Sequence, residues 1–330
     1  MPARSAGLSD VDSRLPERAV ELALRAPSVH NSQPWIFRIG SGEVQLYADP
    51  GRHLPGTDPD RRDLLLSCGA VLHHLAVAAA GLGSAIRIER MPDPEDSRHL
   101  ATVRFVDGPL DRTAAVLFGQ LGRRHTDRRS FTDEPIPPAR LAALVRRARA
   151  HGVSALPVVE PRVLAGVAEV LAAAADEQRH EPGYLAELLQ WTHRYADGRD
   201  GVPVGAVPSS ATRPGERHLL RFPSGSLPGR ATDGPDGGTL LVLVTPGDLT
   251  VDRLVAGEAA SDVLLTSTRA GLATAVLSQA VELSTSRERL RKALGTAEDP
   301  QLVLRIGTPL AGASPVPDTP RRPLRSVLLR

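Results

Sequence analysis

Cysteine, lysine and aromatic residues are all scarce in this 330-residue chain. Cys68 is the only cysteine, which excludes an internal disulfide and a thiolate zinc cage. A reduced, cytoplasmic compartment is the expectation that follows. Lys292 is the only lysine, so nearly all positive charge is guanidinium. The 40 basic residues face 38 acidic ones and no long basic block stands out, which argues against a nucleic-acid partner. Phe, Trp and Tyr together make up 3% of the chain, so a core must be built from Leu, Val and Ala. Long apolar runs are missing too. Leu64 to Leu82 comes nearest, but Ser67, His73 and His74 interrupt it, and it reads as a buried helix with no role in a membrane. Met1 to Arg14 has no apolar stretch of signal-peptide length. Glycine-rich pyrophosphate fingerprints are absent, so a Rossmann domain is not expected. No His, Asp and Glu residues are spaced along the chain as metal ligands.

Hydrophobic residues make up 41%, enough for a substantial core. A first helix spans about Pro16 to Ala26 and stops at Pro27. Strands at Ile36 to Ile39 and Val44 to Ala48 form a hairpin around Ser41-Gly42. A long helix from about Asp63 to Leu82 ends at Gly83, and strands follow near Ala85 to Ile88 and Ala101 to Phe105. Pro137-Pro138 opens a helix to about Ala150, and another covers Arg162 to Arg179. From His180 to Gly238 periodicity fades into Gly, Pro and Ser, the pattern of a lid or mobile insert. A short helical piece, Tyr184 to Tyr195, is expected within it.

The two halves echo each other. Val44 to Ala48 ends in Asp49-Pro50-Gly51-Arg52, and Leu240 to Val244 ends in Thr245-Pro246-Gly247-Asp248. Ser67-Cys68-Gly69-Ala70 matches Gly257-Glu258-Ala259-Ala260, and Gly81-Leu82-Gly83-Ser84-Ala85 matches Gly271-Leu272-Ala273-Thr274-Ala275. Each half closes on a strand, Thr102 to Phe105 and Leu302 to Ile306. A tandem duplication is expected, with halves at 1–116 and 117–330 and the insert at 180–238.

Three segments carry chemistry. Ala26-Pro27-Ser28-Val29-His30-Asn31-Ser32-Gln33-Pro34-Trp35 is a rigid turn with an amide that offers both donor and acceptor. Arg124-His125-Thr126-Asp127-Arg128, followed by Phe131 and Glu134-Pro135-Ile136-Pro137, places two guanidiniums and a hydroxyl where they suit a phosphate dianion. The alternative is a solvated basic run. Thr319-Pro320-Arg321-Arg322-Pro323-Leu324 adds two more guanidiniums, or is a charged tail.

These segments resemble the FMN-dependent nitroreductase superfamily, and nearly the whole chain is most similar to the Acg family of NAD(P)H nitroreductases. Arg52-His53-Leu54-Pro55, Asp58-Pro59-Asp60, Leu65 to Gly69 and Leu277-Ser278-Gln279 extend the likeness, which is weakest between Gly201 and Gly238. The resemblance implies an α+β fold with two pseudo-symmetric halves mimicking the usual homodimer. Pro27, Ser28, Val29 and Asn31 would contact FMN from one half. Arg124, Thr126, Arg128, Arg321 and Arg322 would hold its phosphate from the other. Ser278 and Gln279 would lie near the ring or pack in a turn.

The motifs are complementary in their losses. The first half has the turn without the arginine motif; the second has the arginine motif, with His151 to Pro157 where the turn would be. One FMN site per chain is therefore expected in a pseudo-dimeric monomer, with a further homodimer as the alternative. NAD(P)H would be the reductant and a nitroaromatic or quinone the small-molecule acceptor, with no obligatory catalytic side chain. The competing readings are FMN storage beneath the insert and an empty interaction module. Trp191, His193 and Tyr195 would cover the flavin or anchor the insert; His73, His74 and Cys68 read as core residues; His30 lies within the turn.

Overall fold

The computed structural model describes residues 14–192, 198–209, 221–222, 225–229 and 236–329. Helix α1 (Leu15–Ala23) starts with Pro16 in its first turn and buries Ala19, Val20 and Ala23 on one face. It leads through an eleven-residue turn, 24–34, to β1 (Trp35–Gly40) and β2 (Glu43–Ala48). Then come α2 (Arg62–Gly81), β3 (Ala85–Arg90), β4 (His99–Val106) and the single-turn α3 (Arg112–Ala115), capped by the Asp111 carboxylate. The second part contains α4 (Pro138–Arg149), β5 (Ser154–Val158), α5 (Pro161–Arg179) and α6 (Tyr184–Thr192). It continues with β6 (Thr239–Thr245), α7 (Thr250–Arg269), β7 (Ala273–Leu277), α8 (Gln279–Glu282), α9 (Ser284–Leu294) and β8 (Asp299–Gly307).

Two antiparallel four-stranded sheets result, ordered β1-β2-β4-β3 and β5-β6-β8-β7. Each places its second and fourth strands centrally and carries a register shift at the same point, between Leu46 and Tyr47 in one and Leu243 and Val244 in the other. The sheets differ in what covers them. In β2, Val44 and Leu46 face the core while Gln45 and Tyr47 face a polar surface with Arg38, Glu43 and Arg104. In β6 both faces are apolar: Leu241 and Leu243 pack toward α4 and α7, and Leu240, Val242 and Val244 pack toward α5, α8 and α9. Alternation in the first case and a continuous apolar run in the second are what one-sided and two-sided burial demand. The C-terminal tail returns to the first sheet, where Leu329 N–H donates to Phe37 O and Phe37 N–H to Val327 O, each at 2.7 Å.

Between the sheets, α2 crosses α7 with backbones in contact. Gly69 and Gly257 are each the eighth residue of a 20-residue helix. A Cβ on Gly69 would lie 1.9 Å from Leu254 O, and one on Gly257 would lie 2.1 Å from Leu66 O. These are reciprocal contacts between equivalent positions. Gly83 and Gly271, with φ of +85° and +75°, end the two helices equivalently. The sequence match on Gly-Leu pairs was therefore two residues out of register: Gly69 corresponds to Gly257, and Gly83 to Gly271. The apolar α2 is long enough to cross a membrane, yet it is the buried centre of this core, as its histidine-interrupted pattern implied.

Gly69→Ala and Gly257→Ala should each destabilise the fold by more than about 3 kcal/mol, because backbone atoms cannot make way for a methyl group. Gly83→Ala meets open space and should cost only about 1 kcal/mol through its φ. Urea denaturation of the three variants checks the contrast.

Candidate functional site

The turn 24–34 is over-determined. His30, Asn31 and Gln33 all hold positive φ, at 47°, 55° and 52°, which non-glycine residues adopt only when their surroundings enforce it. Here Gln33 N–H donates to Ser28 Oγ, and Val29 N–H to Ser67 Oγ on α2. Gln33 Nε2 donates to Asn31 O and Arg199 O, while its Oε1 accepts from Arg322 N–H. The facing segment, 123–129, is strapped along β7: Asp127 N–H donates to Thr274 O at 2.8 Å, and Asp127 pairs with Arg129.

Two adjoining pockets lie between these segments and share Pro27, Ser28, Thr126 and Arg128. The first is a slot between α2, α7 and β7. Leu66, Ala70, Ala260, Leu264, Ala275, Val276, Leu277 and Leu302 make its apolar walls, and His30, Asp63, Ser67, Ser278, Gln279 and Arg221 supply polar atoms. The second is cationic, lined by Asn31, Arg124, Thr126, Arg128 and Arg321.

Arg124 is 7% exposed, and its Nε and Nη1 find no hydrogen-bond partner. Arg128 packs over the Phe222 ring at 4.8 Å and reaches only Ala206 O, at 3.3 Å. Arg321 donates to Thr319 and Pro320 carbonyls but leaves Nε without a partner. Among the described residues none of the three forms an ion pair. Burial pushes Arg124 and Arg128 down to about 10, Arg128 with help from the Arg221 charge, and Arg321 to about 9, with help from Arg124. Buried guanidiniums without counterions are costly unless an anion joins them.

Pro27, Ser28, Val29, Asn31, Arg124, Thr126, Arg128, Ser278, Gln279 and Arg321 thus converge on one cleft, although they come from four segments spread from residue 27 to residue 321. Two expectations need correction. Arg322 does not line the cleft; it donates to Gln33 O, faces Asp49 at 3.6 Å and braces the turn from behind. Asn31 sits at the cationic end, and its Nδ2 donates to Gly201 O and Pro320 O, so the amide donor expected at a ring edge is already used.

Sequence reasoning missed a buried acidic network at the slot. Glu282 pairs with Arg221 and accepts from Gln178 and Ser278. Asp63, 3% exposed, lines the slot with no partner for either oxygen. Burial, then the Glu282 and Asp58 charges, hold its carboxyl well above the usual range; burial raises Asp58 to about 7. Arg221 also reaches His30 Nε2 at 3.1 Å, and Phe222 meets the His30 ring edge-on. Phe222 is the only Phe, Tyr or Trp between residues 196 and 238, a signal the sequence did contain. Trp191 lies off the slot, against Arg52 at 5.9 Å, while Tyr184, Leu188, Val202, Ala206, Val207 and Phe222 form a small core of the insert. His193 and Tyr195 lie outside the described residues. His74 is a core residue bonded to Ala70 O and Ser261 Oγ, and Cys68 is buried with its thiol pushed up by desolvation. His73, His151 and Asp262, remote in sequence, come together beyond the crossing, contrary to the expectation that no metal-type cluster exists.

Arg124→Met should raise the stability of the ligand-free protein by roughly 1–3 kcal/mol, since a desolvated, unpaired charge is removed. Inorganic phosphate should raise the melting temperature of the wild type and leave that of the variant unchanged; a destabilised variant would contradict an unpaired cation. A second prediction concerns His30, held well below its ordinary range by burial and by the Arg221 and Arg128 charges. The unfolded chain takes up a proton there that the folded chain refuses. The resulting stability is complete above a pH of about 6.5 and is lost as pH falls toward the folded value. The stability advantage of wild type over His30→Gln should therefore shrink between about pH 7.5 and pH 5; urea titrations at both pH values test this.

No family model matches the chain. It is 39% identical over 321 residues to "Putative NAD(P)H nitroreductase Rv3131" of Mycobacterium tuberculosis strain H37Rv, covering 96% of this chain and 92% of that protein. It is 34% identical over 316 residues to "Putative NAD(P)H nitroreductase acg" of the same strain, covering 94% and 93%. Among solved structures, the FMN-dependent nitroreductase NfnB from Mycobacterium smegmatis in complex with NADPH overlaps 63% of this chain and 94% of its own, with a TM-score of 0.41 at 16% identity. The family rests on the curated relatives and not on that partial overlap. At 34% to 39% identity through more than nine-tenths of every chain compared, this protein belongs to the nitroreductase family that Rv3131 and Acg represent.

Proposed function

We propose that this protein binds one FMN per chain and acts as an NAD(P)H-dependent flavin oxidoreductase. The observation that carries the proposal is the joined cleft: an apolar slot continuous with a cationic end where Arg124 is buried, Arg128 and Arg321 are half-buried, and none of the three forms an ion pair among the described residues. A flavin ring suits the slot, where small side chains at Ala70 and Ala260 leave room between the helices. A phosphate suits Arg124, Arg128 and Arg321 with the Thr126 hydroxyl, through charge-assisted hydrogen bonds. The names of the relatives point the same way.

When bound, FMN supplies two-electron transfer between NAD(P)H and an oxidised acceptor, such as a nitroaromatic or a quinone. The chain's own residues bind, orient and dehydrate. The rigid Pro27-Ser28-Val29 turn presents backbone groups to the slot. Leu66, Leu264 and Leu302 exclude water, and Ser278 and Gln279 offer hydrogen bonds at its edge. No side chain is assigned as a catalytic residue.

One site per chain is favoured by what fills the equivalent position in the other half, if the halves descend from a duplication and stand for the two subunits of a dimer. Glu258 is the ninth residue of α7, where α2 has Ala70, and Arg90 is sixth from the start of β3, where Ser278 is sixth from the start of β7. Arg90 and Glu258 form a bidentate pair at 2.7 and 2.8 Å in that space. The eleven-residue turn 24–34 has only the four residues 150–153 as its counterpart between α4 and β5.

A second reading has a specific observation behind it. Arg221 and Phe222 of the insert line the slot itself, with Arg221 fastened to Glu282. A slot closed in this way would store FMN and deny access to nicotinamide. Anaerobic stopped-flow mixing of the FMN-loaded protein with NADPH separates the two: prompt bleaching of the flavin band supports the reductase, and no bleaching over minutes supports storage. Titration of apoprotein with FMN should end at one equivalent. Arg124→Ala combined with Arg128→Ala should weaken FMN binding by about 3–6 kcal/mol, because charge-assisted bonds contribute about 1.5–3 each. Unchanged affinity would reject the phosphate assignment.

A further inference from the structure

Beyond the Gly69–Gly257 contact the two central helices stay close, and equivalent residues meet. His73 is the twelfth residue of α2 and Ser261 the twelfth of α7; His73 Nδ1 and Ser261 Oγ lie 2.8 Å apart. Asp262, the next residue of α7, points toward the short turn that follows α4. There His151 Nε2 donates to Asp262 Oδ2 at 2.9 Å, and Arg147 Nε donates to Asp262 Oδ1 at 2.7 Å. His73 Nε2 faces the same Oδ2 from 3.8 Å, too far for a hydrogen bond. The two imidazole nitrogens and the carboxylate oxygen all lie within 4.8 Å of one another.

We infer that His73, His151 and Asp262 form a binding site for a divalent transition-metal ion, with zinc the best fit. Zinc bonds to imidazole nitrogen and carboxylate oxygen run to about 2.0–2.2 Å, which puts neighbouring ligand atoms of a tetrahedron about 3.4 Å apart. The observed separations of 2.9 and 3.8 Å bracket that value. Two imidazoles and one carboxylate are a borderline-soft set, suited to zinc and poorly suited to magnesium or calcium. The outer contacts are those that a metal site needs. Ser261 Oγ meets the far nitrogen of His73, and Arg147 with Thr266 Oγ1 holds the far oxygen of Asp262, so the three ligand atoms stay close together and the His151–Asp262 hydrogen bond is the contact that the ion would replace. His73 and Asp262 are buried and His151 is half-buried, so the ion has a route in from the turn and a fourth position open to water. Binding takes up no electron: the proton on His151 Nε2 shifts to Nδ1, and the freed nitrogen coordinates. The ion would tie α2, α7 and the α4–β5 turn together where the second half has lost its long turn. This site is separate from the cleft and does not depend on the flavin proposal.

The test uses the full-length, tag-free protein, stripped with a chelator, reloaded with zinc chloride and passed through gel filtration. Elemental analysis of the wild type should find one zinc per chain, and excess zinc should raise its melting temperature by a few degrees, as a ligand held by the folded state alone must. His151 sits on a partly exposed turn, so His151→Ala should fold, as circular dichroism will verify, and should lose both the retained zinc and the thermal shift. His151→Gln provides the same loss with less change of volume. Arg147→Ala removes the guanidinium that competes for Asp262 and should bind zinc several-fold more tightly, which a purely ionic Arg147–Asp262–His151 network would not do. A wild type that retains no zinc overturns the assignment. So does zinc retained equally by the two His151 variants.

Discussion

The structure depends on one close approach. At Gly69 and Gly257 the backbones of α2 and α7 touch, each glycine against a carbonyl of the other helix. Any side chain there would force the helices apart by the thickness of a methyl group. That separation sets the width of the slot, because Ala70 and Ala260, close by on the same helices, form its walls. It also sets the distance between the turn 24–34, which is bonded to α2 through Ser67, and the segment 123–129, which lies along β7. The cleft is therefore a consequence of a helix crossing, and no single loop builds it.

What the crossing brings together is electrostatically unfinished. Arg124 is buried and Arg128 and Arg321 are half-buried, none with a carboxylate ion pair among the described residues, while the neighbouring Asp127 and Asp318 are engaged with Arg129 and His125. The chain pairs its other buried arginines, Arg62 with Asp248 and Arg305 with Asp236. Leaving three unpaired in one place concentrates the desolvation cost at a site where an anion can offset it. At the other end of the slot the imbalance is reversed: Asp63 and Glu282 crowd together, and Arg221 is the cation that pairs with Glu282 among the described residues. Cationic and acidic ends separated by an apolar slot make a polarised cleft.

The two halves share a scaffold and differ in what they carry on it. Both keep the strand order, the register shift and the 20-residue helix with its eighth-position glycine. The first has the eleven-residue turn beside the slot; the second has a four-residue turn, and near it lie two groups that draw on both halves, the Arg90–Glu258 pair and the His73–His151–Asp262 cluster.

Local sequence determined a good deal here. Element order in the first half followed from apolar periodicity and from Pro27 and Gly83, and Pro137-Pro138 marked the start of α4, whereas β5, β7, α8 and α9 were not read from the sequence. Pro27 to Asn31, Arg124 to Arg128 and Arg321 could be singled out because each motif is contiguous and its residue types suit one ligand chemistry; that the three meet was implied by the resemblance to nitroreductases. The helix register between halves was not, since Gly-Leu pairs recur and only the contact at Leu254 and Leu66 identifies the true equivalents. Arg322 and Asn31 show a similar limit: composition says that a guanidinium or an amide is present, but not which carbonyl it reaches first. Asp63 with Glu282, Arg221 with Ser278 of the slot, and His73 with His151 and Asp262 lie 57 to 219 residues apart, and nothing local foretells them. Tertiary structure alone decided these, because burial and the pairing of charges depend on which surfaces meet, and that is set by the crossing of two helices nearly two hundred residues apart in the chain.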